Sequence, residues 1–150
     1  MGKTREVGKQ RNMDLQFAFL CDDAKEDPAG KLDVRGIFHD LFAPGFPALQ
    51  ERMVLVLVID WDRKDQGRYN LKAELVAPGG AVVLTVDGHS DVEQKAQDRP
   101  PARTRLIMPL EKIVFPTPGK YHLRVMVKGK RFRGPSLFLA EMEEQSHSEP

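Results

Sequence analysis

Residues 119–133, GKYHLRVMVKGKRFR, contain the clearest secondary-structure signal in the chain. Tyr121, Leu123, Val125 and Val127 occupy every second position, and most of the residues between them are polar. A period of two is typical of a β-strand with one face buried and the other in water. The tripeptide Lys-Gly-Lys at 128–130 then favours a tight turn into a last strand, so the segment predicts a final β-hairpin.

Short segments of strand character recur along the rest of the chain. Residues 69–77 repeat the alternation, whereas 53–59 are apolar at both parities, which predicts a strand covered on both sides or a strand with one face under another element. Adding 15–21, 32–38, 82–86, 106–114 and 137–140 gives about eight strands, with turn signals at 27–30, 77–80 and 117–119. This spacing predicts an all-β fold, an antiparallel immunoglobulin-like β-sandwich, with a β-barrel as the alternative.

The start of the strand at Tyr121 resembles the tyrosine corner of immunoglobulin-like sandwiches. Gly119 precedes the tyrosine by two residues at the end of a Pro-rich turn. In this arrangement the hydroxyl can hydrogen-bond back to the turn before its own strand. The alternative is an ordinary half-buried strand tyrosine.

Length and charge suit one small domain without cross-links. The chain has 150 residues, one cysteine and a formal net charge of +1. No apolar run approaches the ~20 residues that a membrane helix needs, and no secretory signal is visible, so we expect a cytoplasmic protein without a membrane partner. The composition predicts a flexible basic tail at 1–13, a sandwich domain at 14–142 and a flexible tail at 143–150.

Five aspartates near predicted strand ends are the candidates for a metal site. They are Asp60, Asp62, Asp65, Asp87 and Asp91. Carboxylates spaced by two across such loops are the oxygen ligands that calcium takes. Basic residues among the same loops would neutralise the site, and the alternative is a set of solvated loops. The sequence therefore predicts no metal and no cofactor, with the five aspartates as the exception to test.

No motif in the chain specifies catalysis. Cys21 lies in an apolar strand, where burial raises a thiol pKa and opposes its use as a nucleophile. The segment APGGA at 77–81 lacks both the lysine and the helix of a phosphate-binding loop. We therefore expect a binding module rather than an enzyme, although an activity at the strand-end loops stays open.

The predicted hairpin is strongly basic. No acidic residue occurs between 119 and 135. Its tip carries the candidate contact residues Lys128, Lys130, Arg131, Phe132 and Arg133. Such a surface can bind an acidic protein or a phosphate backbone. The alternative is a basic rim that keeps an edge strand from pairing with other chains.

The segment 38–47 is unusually apolar for a loop. It presents Phe42 and Phe46 on a path that Pro44, Gly45 and Pro47 make non-helical. Each ring would bury about 150 to 250 Å² if covered. Either the loop plugs the open end between the sheets, or part of it is a docking surface for another protein or another copy of the chain.

Three segments resemble a bacterial family of small all-β proteins of unassigned function. They are FLCDDAKEDPAGKLDVRGIFHDLFAPGFPA at 19–48, LVAPGG at 75–80 and PGKYHLRVMVKG at 118–129. The resemblance covers about 14–140 and implies a β-sandwich in the bacterial cytoplasm. It carries no activity, substrate or catalytic residue that can be transferred.

Together these observations predict a non-catalytic binding or adaptor module. Its contact with a protein partner, or with a second copy, is expected at the apolar loop 38–47 or the basic hairpin 128–133. The alternatives are a calcium- or ligand-binding domain and a nucleic-acid binder of low sequence specificity. Fold class alone cannot choose among these, because sandwiches carry many unrelated functions.

Overall fold

The computed structural model describes residues 13–143, and every regular element in this range is a strand. The strands are β1 (Asp14–Glu26), β2 (Leu32–Ile37), β3 (Asp40–Ala43), β4 (Ala48–Asp60), β5 (Gly67–Val76), β6 (Val82–Val92), β7 (Arg103–Phe115), β8 (Gly119–Val127) and β9 (Lys130–Glu141). No helix in this range is long and apolar enough to cross a membrane. The predicted all-β class is confirmed.

The predicted tails fall almost entirely outside the described residues. Of the segment 1–13 only Met13 is described, and its side chain is buried in the main core. Of the segment 143–150 only Glu143 is described, and it is exposed.

Nine strands form where about eight were expected, because a short strand lies inside the predicted loop 38–47. The backbone N–H of Phe138 donates to the carbonyl of His39 at 2.8 Å, and that of Met142 donates to the carbonyl of Ala43 at 2.7 Å. These bonds join β3 to β9 in a parallel pair. The expectation of purely antiparallel sheets is therefore wrong at this one edge, where the chain has crossed from one sheet to the other.

The strands form two sheets. The order is β2-β1-β4-β7 in the four-stranded sheet and β3-β9-β8-β5-β6 in the five-stranded sheet. Both sheets supply buried side chains to one main core. The alternating apolar residues of β8 form the row that faces this core. From β4 the core side chains are Met53, Leu55, Leu57 and Ile59, and from β8 they are Tyr121, Leu123, Val125 and Val127.

The other parity of β4 lies in a second, smaller core. Val54, Val56 and Val58 are buried together with Cys21, and Leu32 and Val34 of β2 pack on them. The β1–β2 hairpin therefore covers the outer side of its own sheet. Of the two alternatives predicted for 53–59, the structure has the strand covered on both sides.

The path of the β1–β2 hairpin depends on a glycine. Gly36 has φ of +70°, and a Cβ atom at this position would overlap the carboxylate of Asp22. At the far end of the hairpin, Glu26 lies 3.4 Å from Arg105 of β7. These contacts hold the hairpin across the sheet, because β7 is the strand on the opposite edge.

Two local predictions for β8 are confirmed. The hydroxyl of Tyr121 donates to the carbonyl of Thr117 at 2.7 Å and accepts from its N–H at 3.2 Å. Lys128 and Gly129 both have positive φ, 55° and 72°, as a two-residue type I′ hairpin turn requires. The turn leads directly into β9, which pairs antiparallel with β8.

Candidate functional site

Three of the five candidate aspartates form ion pairs with basic residues. Asp60 pairs with Arg103, Asp91 lies 2.9 Å from Arg68, and Asp65 lies 2.6 Å from Lys128. Residues 13–143 contain no group of three or more histidine, cysteine or acidic side chains placed to share a metal ion.

The other two aspartates serve the local backbone or face a lysine. Asp62 accepts the N–H of Lys64 at 3.1 Å within its own loop. Asp87 is directly opposite Lys72 in the β5–β6 pair. Within residues 13–143 the five aspartates are therefore not gathered into one metal site.

Asp65 is one of two buried polar residues in the described range, and its hydrogen bonds are made within the protein. Its Oδ2 accepts the N–H of Asp62 at 2.8 Å, and its Oδ1 accepts from Lys128 Nζ. The hydroxyl of Tyr69 is 3.5 Å from the same Oδ1, and the Tyr69 ring stacks on Trp61 with centroids 4.9 Å apart. This cluster ties the loop after β4 to the β8–β9 turn.

Lys128 therefore contacts the protein itself. The hydrogen bond to Asp65 raises the pKa of the Lys128 ammonium above its usual value, although partial burial works in the opposite direction. A lysine held in this way is a weaker candidate for an external phosphate than its position in the sequence indicates.

The other hairpin candidates divide between the two faces of β9. Phe132 is half-buried and packs against the main core, and Lys130 lies over its ring with Nζ 5.5 Å from the centroid. Arg131 and Arg133 are exposed on the opposite face. Neither arginine forms an ion pair with any residue in 13–143.

Strand register extends this positive surface beyond the hairpin. Arg131 is opposite Met126 of β8, and Met126 is opposite Lys72 of β5. In the next row, Arg133 is opposite Arg124, which bonds Glu74 at 2.9 Å. We call this set of Lys72, Arg124, Met126, Arg131 and Arg133 the basic face.

The two phenylalanines predicted to act together point in different directions. Phe46 is partly buried and packs against the main core, as do Phe38 and Leu41. Phe42 is 62% exposed on the outer side of the five-stranded sheet. The loop thus both plugs the end between the sheets and presents an aromatic ring to solvent.

Three further apolar side chains are exposed in the strands that border the loop 38–47. Leu49 is 56% exposed and directly opposite Val114, which is 52% exposed, and Phe138 is 49% exposed in the strand next to Phe42. Phe42 and Leu49 both line a groove of about 500 Å³, whose floor includes Phe115 and Leu139. We call Phe42, Leu49, Val114, Phe138 and this groove the apolar end.

Cys21 is not arranged as a nucleophile. It is fully buried in the second core, and burial is the main cause that raises the pKa of its thiol. Its Sγ lies 3.5 Å from the carbonyl of Asp23 and 3.7 Å from that of Val54. The thiol therefore has the packed position that the sequence predicted.

Comparison with protein families identifies the group to which the chain belongs. The model of DUF6941, a family of unknown function, matches residues 16–138. The chain belongs to DUF6941. This agrees with the resemblance to a family of unassigned function, and it transfers no catalytic or binding residue. A comparison with curated proteins finds no match.

Among solved structures, the DUF6941 chain is similar to the alkylpurine DNA glycosylase AlkC of Pseudomonas fluorescens, solved bound to DNA containing an abasic site analog. The sequence identity is 13%, the TM-score is 0.43, and the match covers 93% of this chain and 34% of that one. The DUF6941 chain thus spans about a third of the length of that protein.

Sequence reasoning missed part of this DUF6941 surface. Val114 and Phe138 fall within predicted strands and Leu49 falls in no predicted element, and alternation does not say which row of a strand is outward near its end. In β7 the buried row changes from even to odd positions between Leu110 and Ile113. Lys112, with φ of 55°, lies at this change. Lys72 and Met126 join the basic face only through register, which the sequence does not display.

Proposed function

We propose that this DUF6941 chain is a non-catalytic protein-binding module whose contact surface is the apolar end. The observation that carries the proposal is the position of Phe42. Its ring is 62% exposed, whereas its neighbours Leu41 and Ala43 in β3 turn toward the interior. An aromatic ring kept outside a packed strand is a recurrent feature of protein contact surfaces.

The size of the surface supports the proposal. At 62% exposure, a ring that buries 150 to 250 Å² when covered leaves roughly 90 to 155 Å² for a partner. Phe138, Leu49 and Val114 each add a side chain that is about half exposed. Phe42 and Phe138 give the five-stranded sheet two exposed rings in neighbouring strands, and exposed apolar side chains grouped in this way are a common mark of an interaction site on a small domain.

The frame around the groove supports it further. Backbone hydrogen bonds fasten β3 to β9 at both of its ends, and Phe46 fills the space beneath the loop. A partner side chain would therefore enter a groove that is already formed, so little conformational entropy is lost on binding.

We place this module in an immunoglobulin-like sandwich of a bacterial cytoplasmic protein. The bond from Tyr121 to the Thr117 carbonyl supports the architecture, because that bond is the tyrosine corner of such sandwiches. The single buried cysteine is consistent with a reducing compartment.

Site-specific photo-crosslinking in the native cell tests the proposal. A photoreactive phenylalanine analogue replaces Phe42 or Phe138 in the full chain, and the matched control replaces Phe17, which is 55% exposed on the four-stranded sheet. We expect a discrete crosslinked protein at positions 42 and 138 that is missing at 17. The same yield at all three positions, or no crosslink at 42 and 138, would overturn the proposal.

The same experiment separates a foreign partner from a second copy. A crosslinked species of twice the chain mass that contains only this sequence identifies self-association. A species of another mass identifies a different protein. Either result supports a protein contact at the apolar end.

A further inference from the structure

The basic face and two members of the apolar end, Phe42 and Phe138, lie on the outer side of the five-stranded sheet. Leu49 and Val114 belong to the four-stranded sheet. Arg133 and Phe138 are five positions apart on β9, a spacing that would normally put them on opposite faces. The β8–β9 register shifts between His122 and Arg124, so Arg133 is opposite Arg124 while Phe138 is opposite Lys120. This bulge returns Phe138 to the same outer side, and both residues are exposed.

The distance between the two surfaces suits one short segment of a partner. Arg131 and Phe138 are seven positions apart on β9, which is roughly 23 Å at about 3.3 Å per residue. About seven or eight residues of extended chain, or roughly four turns of helix, span that length. A single partner segment can therefore reach the basic face and the apolar end together.

Charge complementarity sets the chemistry of the basic half. Lys72, Arg131 and Arg133 project on the same side, and none of them forms an ion pair with a residue in 13–143, although Lys72 is directly opposite Asp87. The charge complementarity therefore depends on the two arginines. Arg133 is also directly opposite Arg124, a like-charge pair that costs stability unless an anion lies nearby. Glu74 supplies such an anion to Arg124, whereas the guanidinium of Arg133 forms no ion pair with a residue in 13–143.

Aromatic placement favours a protein over a nucleic acid as the source of that anion. Single-stranded nucleic acids bind by stacking bases on exposed aromatic rings within a positive groove. The ring of Phe132, which lies among the basic residues, packs inward on the main core and is covered by Lys130, so it offers no such platform. The exposed rings of Phe42 and Phe138 lie at the other end of β9, away from Arg131 and Arg133. The residue between Arg131 and Lys72 is Met126, and methionine with arginine is an enriched combination in protein interfaces.

We infer that the partner contributes a segment that is acidic at one end and apolar at the other, with the carboxylates on the basic face and the apolar side chains on Phe42 and Phe138. This inference rests on the proposed function for its apolar half. The basic half adds a second contact with its own chemistry. It also sets the direction of the segment along β9.

Fluorescence anisotropy with synthetic probes tests the inference. The probes are the fluorescein-labelled peptide EEDEELL, its neutral counterpart QQNQQLL, the peptide EEDEESS without an apolar end, and a single-stranded DNA oligonucleotide. The protein is the full chain at about 50 mM salt, where screening of exposed charges is modest. We expect EEDEELL to bind about tenfold more tightly than either QQNQQLL or EEDEESS.

Charge reversal localises the contact. Arg131→Glu with Arg133→Glu should weaken EEDEELL binding at least about tenfold, since each exposed pair contributes modestly and reversal adds repulsion. The matched control reverses Lys25 and Lys31, two exposed lysines of the β1–β2 hairpin region, and changes the net charge equally. We expect this control to bind as the natural chain does.

The outcomes separate the inference from the proposed function. Equal binding of EEDEELL and QQNQQLL, no effect of the arginine reversals, tighter binding of the oligonucleotide, or no binding of EEDEELL at about 1 mM protein each overturns the inference. If crosslinks at positions 42 and 138 persist in such a case, the proposed function stands without it. If the arginine reversals abolish peptide binding but the crosslinks are missing, the basic face is supported as a binding surface and the apolar end is rejected as one.

Discussion

The ammonium nitrogen of Lys128 lies 2.6 Å from Oδ1 of Asp65, a residue 63 positions earlier in the chain. The two residues were candidates for different sites, one for an external anion and the other for calcium. Their pairing joins the β8–β9 turn to the loop after β4 and gives both side chains a partner within the protein. Because Lys128 and Asp65 bind each other, we expect contacts with a partner at Arg131, Arg133 and the apolar end instead.

Removal of one member of this pair should destabilise the fold. Asp65→Asn and Lys128→Met are each expected to lower the free energy of unfolding by about 2 kcal/mol, because the remaining group stays wholly or partly buried without its partner. The double variant should lose less than the sum of the two. Urea unfolding measures all three. Asp91→Asn, which breaks an exposed ion pair with Arg68, is the control and should have no measurable effect.

The same pair should give the stability a dependence on alkaline pH. Because the Lys128 pKa is raised in the folded state, the stabilisation is complete below the unfolded lysine pKa of about 10.4 and is lost as the pH rises through the folded value. The difference in unfolding free energy between the natural chain and Lys128→Met should be constant between about pH 7 and 10 and shrink above that range. A difference that grows with rising pH would contradict the assigned cause.

Loss of the Tyr121 hydroxyl should destabilise the end of β8. Tyr121→Phe removes a buried hydroxyl that bonds the backbone N–H and carbonyl of Thr117. We expect the free energy of unfolding to fall by about 1 to 2 kcal/mol. Thr117→Ala is a matched control, because the bond uses only the backbone of residue 117 and the threonine side chain is exposed. Equal unfolding midpoints for Tyr121→Phe and the natural chain would show that the corner contributes nothing.

Local pattern was sufficient for the parts of this fold that local chemistry determines. Alternation at Tyr121, Leu123, Val125 and Val127 placed an inward row correctly, and the Lys-Gly pair at 128–129 predicted the final turn. The apolar run of β4 left open whether one or both of its faces are covered, and it did not indicate that the β1–β2 hairpin covers the outer face. That arrangement depends on the bend at Gly36 and on contacts between distant strands.

The candidate site was less predictable because register and sequence-distant pairing decide it. Lys128 and Asp65 meet across two loops, and Met126 reaches Lys72 only through the β5–β8 pairing. Strand β3 was missed because it has four residues and precedes a Pro-Gly segment that signals a loop. Phe42 and Phe46 are chemically identical, so only the pairing of β3 with β9 separates the outward ring from the inward one.

This separation gives the sharpest test of the apolar loop. Phe42→Ser removes a ring that is 62% exposed, so the unfolding free energy should change by no more than about 0.5 kcal/mol. Phe46→Ser places a hydroxyl against the main core and removes the ring that fills its end, so a loss of about 1 to 3 kcal/mol is expected. Urea unfolding of the two variants compares the same substitution four positions apart. A large loss for Phe42→Ser would make that ring part of the core and remove the main support for a contact surface there. If only Phe46→Ser is strongly destabilising, the fold does not need the Phe42 ring, as expected for a side chain that contacts a partner.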